Sequence, residues 1–508
     1  MAVNLRSLFS ISRPHNRYRD NERLSLDDCG IEMLQMQLES DRGRIIQSAA
    51  VRRLQQKTQV YPLEKNSAVR SRLTHSMEVM QTGRHIVQTI YRRLGAQAKS
   101  FGLEGLERPI ESLVEMACLL HDVGNPPFGH FGEAAISQWF QTHLPQLPAF
   151  AQTKLNTEGD TDQQQLQQRL ISDLSHFEGN AQAIRLSHSL LRLNLTYAQS
   201  ACILKYTRLA AESRPPAGDA FSYLKKKPGF YLSEQSHIQD LQQVLGIEQG
   251  CRYPLSYIME AADDISYCLA DIEDGVEKGL MSYQTLAQLL IENYAQHEGG
   301  ADVVQFPPEQ PKRSFREIVD YACERAARET INKAHEFFIW LRVGLIHHLV
   351  EHAAQGFIDH IEQVAQGRLN RALLEDDTPC HQVITTFKNI AFEHFFSHPE
   401  VETLDLQGHH ILTALLNHYR PLLMLDTAAF TQLSQGQYRG FLVESLLFKR
   451  LPNKHIRAYQ EAMAAIPVDQ AHYSLWEQYY RCRLLQDMVS GMTDQYALDE
   501  YRTLSALD

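Results

Sequence analysis

The chain has 508 residues, 44% hydrophobic and 22% charged, a globular composition that excludes a mainly disordered protein. Its net charge of −12 excludes a chain built chiefly as a polycation for nucleic acid. The eight cysteines are scattered without a C-x-x-C pair and read as free thiols of a reducing cytoplasm. No stretch reaches the ~18 apolar residues of a membrane-spanning helix, so no membrane partner is expected.

Residues 1–38, mixed and polar, read as an N-terminal arm; their apolar run Leu8-Phe9-Ser10-Ile11 is too brief for a signal-peptide core. A helical pattern follows through Ile45, Ile46, Val51 and Leu54, closed by Gln55 to Pro62. A basic connector, Glu64 to Arg72, delivers a helix over Leu73–Leu94, with Val79, Ile86 and Ile90 at helical spacing and His75 in its first turn. The apolar run Leu113 to Leu120 leads into His121-Asp122, where Gly124 and Pro126-Pro127 break the helix. Adjacent imidazole and carboxylate at a buried helix end suit a divalent metal such as Mg, Mn, Fe or Co. Beyond the break His130 and Glu133 lie three apart on a new helix, so the carboxylate can orient the ring.

The glutamine-rich segment Gln163 to Gln168 reads as an insertion or exposed helix. His176 opens a further helix through Ile184 and Leu190, and residues 196–208 another, with Lys205, Tyr206 and Arg208 at its end. The triplet Lys225-Lys226-Lys227 reads as a solvated face. In the helix expected over Pro254–Lys278, Asp263, Tyr267 and Asp271 stack along one face at i, i+4 and i+8. Long helices are expected around 315–366 and 382–396, after a loop at Phe306 to Pro311. The aromatic stretch Leu475 to Asp487 reads as a helix packed on the core. The whole is an all-α chain with little or no β structure: arm 1–38, core 39–280, and a helical C-terminal region 281–508 that packs on the core.

His75, His121-Asp122 and a distant Asp263 form an H…HD…D series, which resembles the HD-domain phosphohydrolases. Arg72-Leu-Thr-His-Ser76, His121 to Glu133, His176-Phe-Glu-Gly-Asn180, Ala262-Asp-Asp-Ile-Ser-Tyr267 and Ser490-Gly-Met-Thr-Asp494 extend the resemblance over nearly the full chain. Together they resemble the deoxyguanosinetriphosphate triphosphohydrolases (dGTPases). The resemblance implies an HD-domain helical bundle that hydrolyses dGTP to deoxyguanosine and triphosphate by water attack at the α-phosphorus. It implies a divalent metal, Mg first with Mn or Co as alternatives, held by His75, His121, Asp122 and Asp263. His130 and Glu133 would be the acid/base pair. His176, Arg72, Lys205 and Tyr206 would meet the phosphates, and Gln59, Val60, Tyr267 and Asp271 the sugar. It further implies a cytoplasmic homohexamer, with single-stranded DNA as a regulator of some members; the stretch Arg439 to Leu447 is less basic than that regulation leads one to expect. The rival readings are an HD phosphohydrolase of other dNTPs or of a signalling nucleotide, and a non-catalytic nucleotide-sensing or DNA-binding scaffold.

Overall fold

Residues 4–15, 26–152, 161–296, 314–468, 470 and 472–507 are described by a computed structural model. The architecture follows from amphipathic helices whose ends are written into the sequence. Helix α1 spans Leu26–Ile46 and α2 spans Arg72–Leu94; α2 starts at a capping box in which Ser71 and Thr74 satisfy each other's backbone amides. Helix α3 (Glu107–Leu120) packs along α2. Gly83 permits that approach: a Cβ there would lie 2.8 Å from the Cys118 Sγ and 2.9 Å from a Val114 methyl. Helix α4 (Gly129–His143) follows the break, then α5 (Thr161–Ser175), which carries the glutamine-rich segment, and the short α6 (Gly179–Arg185). After α7 (Tyr197–Cys202), the long α8 (Pro254–Glu277) starts with proline at its first position and packs on α2 and α3.

The expected all-α class holds. Among the described residues the only strands are β1 (Arg208–Leu209) and β2 (Pro228–Phe230), paired in parallel. They correct the helix expected over 196–208, which stops at Cys202. The Thr207 amide donates to the Leu224 carbonyl at 2.9 Å, and a Cβ on Gly229 would fall 1.7 Å from the Tyr206 carbonyl oxygen. Pairing with a distant segment therefore replaces local helical bonding, and Lys205 and Tyr206 lie on extended chain rather than at a helix end. The long helices expected around 315–366 are α9 (Phe315–Arg328), α10 (Lys333–Asp359) and a five-residue piece, Ile361–Ala365. Asn332, at φ +53°, turns the chain between the first two. Helix α11 (Pro379–Ile390) ends in a π-turn, and α12 (Pro399–Met424), α13 (Tyr473–Ser490) and α14 (Asp494–Leu504) complete the chain. The loop expected at Phe306 to Pro311 lies outside the described residues. No described helix is long and apolar enough to cross a membrane.

Two large apolar cores form among the described residues. The larger gathers α1, α2, α3, α8 and α10; the second joins α4 to α12 and α13. Val123 belongs to the first and Phe128 to the second, so the stretch 121–133 is the seam between them.

Candidate functional site

The seam brings the separated motifs together. His75, in the first turn of α2, is fully buried; its Nε2 lies 3.3 Å from the Asp263 Oδ1 on α8. His121, capping α3, places Nε2 3.4 Å from the same oxygen and 3.6 Å from the Asp122 Oδ1. Single ligand atoms of His75, His121 and Asp122 lie within 4.8 Å of one another, a spacing that a divalent ion can span. The donor chemistry fits as well. The His121 Nδ1 sits 2.6 Å from the Cys118 carbonyl, which can only accept, so Nδ1 keeps its proton and Nε2 is the atom a metal would take by displacing the second proton. Burial alone would lower the His121 pKa, but the Asp122 and Asp263 carboxylates overcome it and raise it to about 9. Asp122 resists the opposite pull of burial because His121 and Arg72 hold its carboxyl down at about 2. An unusually acidic carboxylate beside two imidazoles is electrostatically suited to a cation.

Around this cluster stand the phosphate candidates. Arg72 donates from Nη1 to the Asp122 Oδ2 at 2.8 Å and from Nη2 to the Gln59 carbonyl at 3.5 Å. The Lys205 Nζ lies 3.5 Å from the Asp263 Oδ2 and 3.8 Å from the Glu260 Oε1. Tyr206 is buried, with the Lys226 ammonium 5.6 Å above its ring. Lys226 also sits 3.8 Å above the ring of Tyr223, and the Lys227 Nζ lies 3.3 Å from the Glu178 Oε2, so the lysine triplet is engaged rather than a plain solvated face.

The His130–Glu133 pair forms as the spacing predicts, with Nδ1 and Oε2 2.8 Å apart. The other Glu133 oxygen accepts from the Gly179 amide at 2.8 Å, so the carboxylate is held from two sides. Gly124 and Gly179 make this closeness achievable: a Cβ on Gly124 would meet the Gly179 carbonyl oxygen at 2.0 Å, and one on Gly179 would meet the Asn125 Oδ1 at 2.1 Å. The hydrogen bond that His130 donates to Glu133 raises the His130 pKa, although the ring itself is 82% exposed. An exposed imidazole with an anchored buried partner is free to meet a ligand in a fixed orientation.

On α8, Tyr267 and Asp271 continue the face of Asp263. Asp271 is fully buried and neither oxygen makes a well-formed hydrogen bond; burial pushes its carboxyl well up, with the Tyr267 hydroxyl acting against that push. Gln59 and Val60 are half-buried just ahead of the connector, and the Gln59 Oε1 has no partner among the described residues. His176 stands apart: it is exposed, its Nδ1 is 2.7 Å from the Ser172 carbonyl, and it bonds to none of the other candidates among the described residues.

Two residues escaped the sequence reading. Lys57 is buried and donates to the main-chain carbonyls of Asn125 and, at 3.0 Å, Ser490; burial pushes its ammonium down to about 7. Asp494 accepts from the Thr58 amide and from the Phe128 amide. Asp494 lies within a quoted motif but nothing local marks its task, and a single lysine in a polar run carries no signal at all.

An HD-domain family model matches residues 72–171. A protein of Pseudomonas aeruginosa named a probable deoxyguanosinetriphosphate triphosphohydrolase is 55% identical over 506 residues, covering 100% of this chain and 99% of its own. The chain belongs to the deoxyguanosinetriphosphate triphosphohydrolase family. As a member of it the chain is an HD-domain hydrolase, and the His75, His121 and Asp122 group is consistent with the divalent metals such hydrolases use.

Proposed function

We propose that the chain hydrolyses dGTP to deoxyguanosine and inorganic triphosphate. The convergence of His75, His121, Asp122 and Asp263, four residues from three separate segments, is the observation that carries this reading. These four side chains would hold a divalent ion, Mg first and Mn or Co as alternatives. Bound there, it would supply Lewis-acid neutralisation of charge at the α-phosphate. Phosphoryl transfer asks a protein mainly for positioning and charge compensation. Arg72 and Lys205, already committed to Asp122 and Asp263, border the space where phosphate oxygens would sit, and His176 would meet the phosphate chain from outside. Tyr206 and Lys227 would extend that lining.

Water attacks the α-phosphorus, and the bond from phosphorus to the sugar 5′-oxygen breaks. His130 would give its ring proton to the departing 5′-oxygen and recover one from the attacking water, because Glu133 fixes its ring and favours the protonated form. Gln59, Val60, Tyr267 and Asp271 would enclose the sugar, Asp271 taking the 3′-hydroxyl. A wall with no partner for a 2′-oxygen excludes GTP by sterics and desolvation.

The organisation belongs to the same reading: arm 1–38, catalytic core 39–280, and a region 281–508 that packs on the core and on neighbouring subunits. A cytoplasmic homohexamer, with single-stranded DNA as a regulator, extends it by family resemblance. The deciding experiment incubates the protein with each dNTP and with GTP, in water carrying ¹⁸O, with Mg, Mn or Co supplied in turn. Deoxyguanosine and ¹⁸O-labelled triphosphate from dGTP are expected. Label in the nucleoside, or a monophosphate product, overturns the proposed chemistry.

A further inference from the structure

The chain carries two buried, opposite charges that tie its C-terminal helices to the substrate pocket. The Asp494 carboxylate, at the start of α14, bridges two segments that otherwise meet nowhere in sequence. Its Oδ2 accepts from the Thr58 amide at 3.0 Å and from the Thr58 hydroxyl at 2.6 Å. Its Oδ1 accepts from the Phe128 amide at 3.1 Å. Lys57, one residue before Thr58, joins the same parts from the other side through the Asn125 and Ser490 carbonyls. Thr58 immediately precedes Gln59 and Val60, and Phe128 lies two residues before His130. Phe128 also holds a left-handed backbone, φ +61°, which an ordinary side chain adopts only when its surroundings impose it.

The geometry points to Asp494 and Lys57 as positioning residues that set the width of the sugar pocket, by fixing the Gln59–Val60 wall against the loop that carries His130. The inference rests on the proposed dGTP chemistry and adds a determinant of sugar selection that is distant from the HD pair in sequence. Neither residue contacts the metal-site side chains directly, so the pocket can loosen while the cluster of His75, His121, Asp122 and Asp263 stays whole. Hydrolysis falls when the two walls drift, because a displacement near 1 Å in a reacting geometry costs on the order of 10²-fold.

Asp494→Asn tests this without emptying the site. The amide has one accepting oxygen, so either Thr58 or Phe128 must face an NH₂ group and lose its bond. Thr58→Val removes only the hydroxyl donor, and Thr58→Ser restores it. The measurements are kcat and KM for dGTP and GTP, Mn binding by calorimetry, and the melting temperature. Asp494→Asn is expected to lower kcat for dGTP by about 10–100-fold and to narrow the dGTP-to-GTP ratio of kcat/KM by about tenfold, with Mn affinity held. Thr58→Val should narrow the ratio less, and Thr58→Ser should return it. If wild type cleaves dGTP selectively and all three variants keep its ratio, or lose dGTP and GTP turnover equally as melting falls, the inference is overturned and the proposed function stands. If wild type yields no triphosphate from dGTP, the proposed function itself falls and takes this inference with it.

Discussion

Two clusters of buried charge sit in one molecule and are finished differently. Along α13 every charge is closed. Arg185 donates to both Asp487 oxygens at 2.7 Å and to the Glu234 Oε1 at 2.9 Å. Arg483 meets Asp173, which also accepts from the Tyr479 hydroxyl at 2.6 Å, and Arg481 meets Glu477, which accepts from Tyr459 at 2.8 Å. Around the HD motif the accounts are left open: the His75 Nδ1, the Gln59 Oε1 and both Asp271 oxygens are buried without partners. Native proteins rarely leave buried polar atoms unpaired. Unpaired buried atoms occur elsewhere as well, the Gln478 Oε1 on α13 among them, but those around the HD motif gather beside the candidate metal and sugar residues, which suits a site that a ligand completes.

The strongest way to break that contrast is Asp122→Asn. The amide keeps Asp122's shape and its oxygen can still accept from Arg72, but the anionic ligand is gone. Divalent-metal binding, followed by calorimetry, and dGTP turnover should both be lost, with a modest drop in melting temperature because the new amide NH₂ faces the Asn125 Nδ2 donor. An unaltered metal isotherm would remove Asp122 from the ligand set.

His130→Ala comes next. Because the ring is 82% exposed, its removal leaves no cavity and folding should not suffer. Turnover at saturating dGTP should drop by ~10²–10⁴-fold while metal binding persists. A raised KM with unchanged kcat would make His130 a binding residue instead.

Asp487→Ala probes the closed cluster and should give the opposite pattern. It takes both Asp487 bonds from the buried Arg185 guanidinium and leaves Glu234 as its remaining anion, a loss of about 3 kcal/mol by denaturant unfolding. Metal affinity of the folded fraction should stay at the wild-type value. Loss of metal binding ahead of unfolding would show that the two clusters are one system.

The contrast also explains what the sequence could disclose. Helix starts such as the Ser71 cap, the break after Asp122 and the i, i+3 pairing of His130 with Glu133 are local, so their physics is written in neighbouring letters. The stacking of Asp263, Tyr267 and Asp271 on one face of α8 follows from helical periodicity alone. The closed cluster leaves no such trace: Arg185 and Asp487 are 302 positions apart, and Thr58 and Asp494 are 436 apart. An arginine in an aromatic helix looks like a surface residue until the fold supplies its partner. The strand at Arg208–Leu209 was hidden for the same reason, since its partner lies beyond a loop.

The smallest effect is expected from Asp271→Asn, which asks whether the open cluster costs the free protein stability. The Asp271 carboxyl is buried, close enough to Asp274 and Asp263 to feel their charge, and its pKa is pushed well above the ordinary range, with Tyr267 and Arg70 only partly offsetting burial. A carboxyl raised in the folded state binds its proton more tightly there than in the unfolded chain. Stability is then full below the unfolded pKa of about 4 and declines as pH rises toward the folded value. Asparagine matches the neutral acid in shape and cannot ionise. The variant should therefore melt slightly higher than wild type, and the gap should widen from pH 5 to pH 8 until the wild-type carboxyl ionises. Asparagine can also still meet a 3′-hydroxyl, so dGTP turnover should fall less than in Asp271→Ala. A gap that shrinks with rising pH would mean that Asp271 is stabilised as the anion, and the cluster would then be closed by a partner other than substrate.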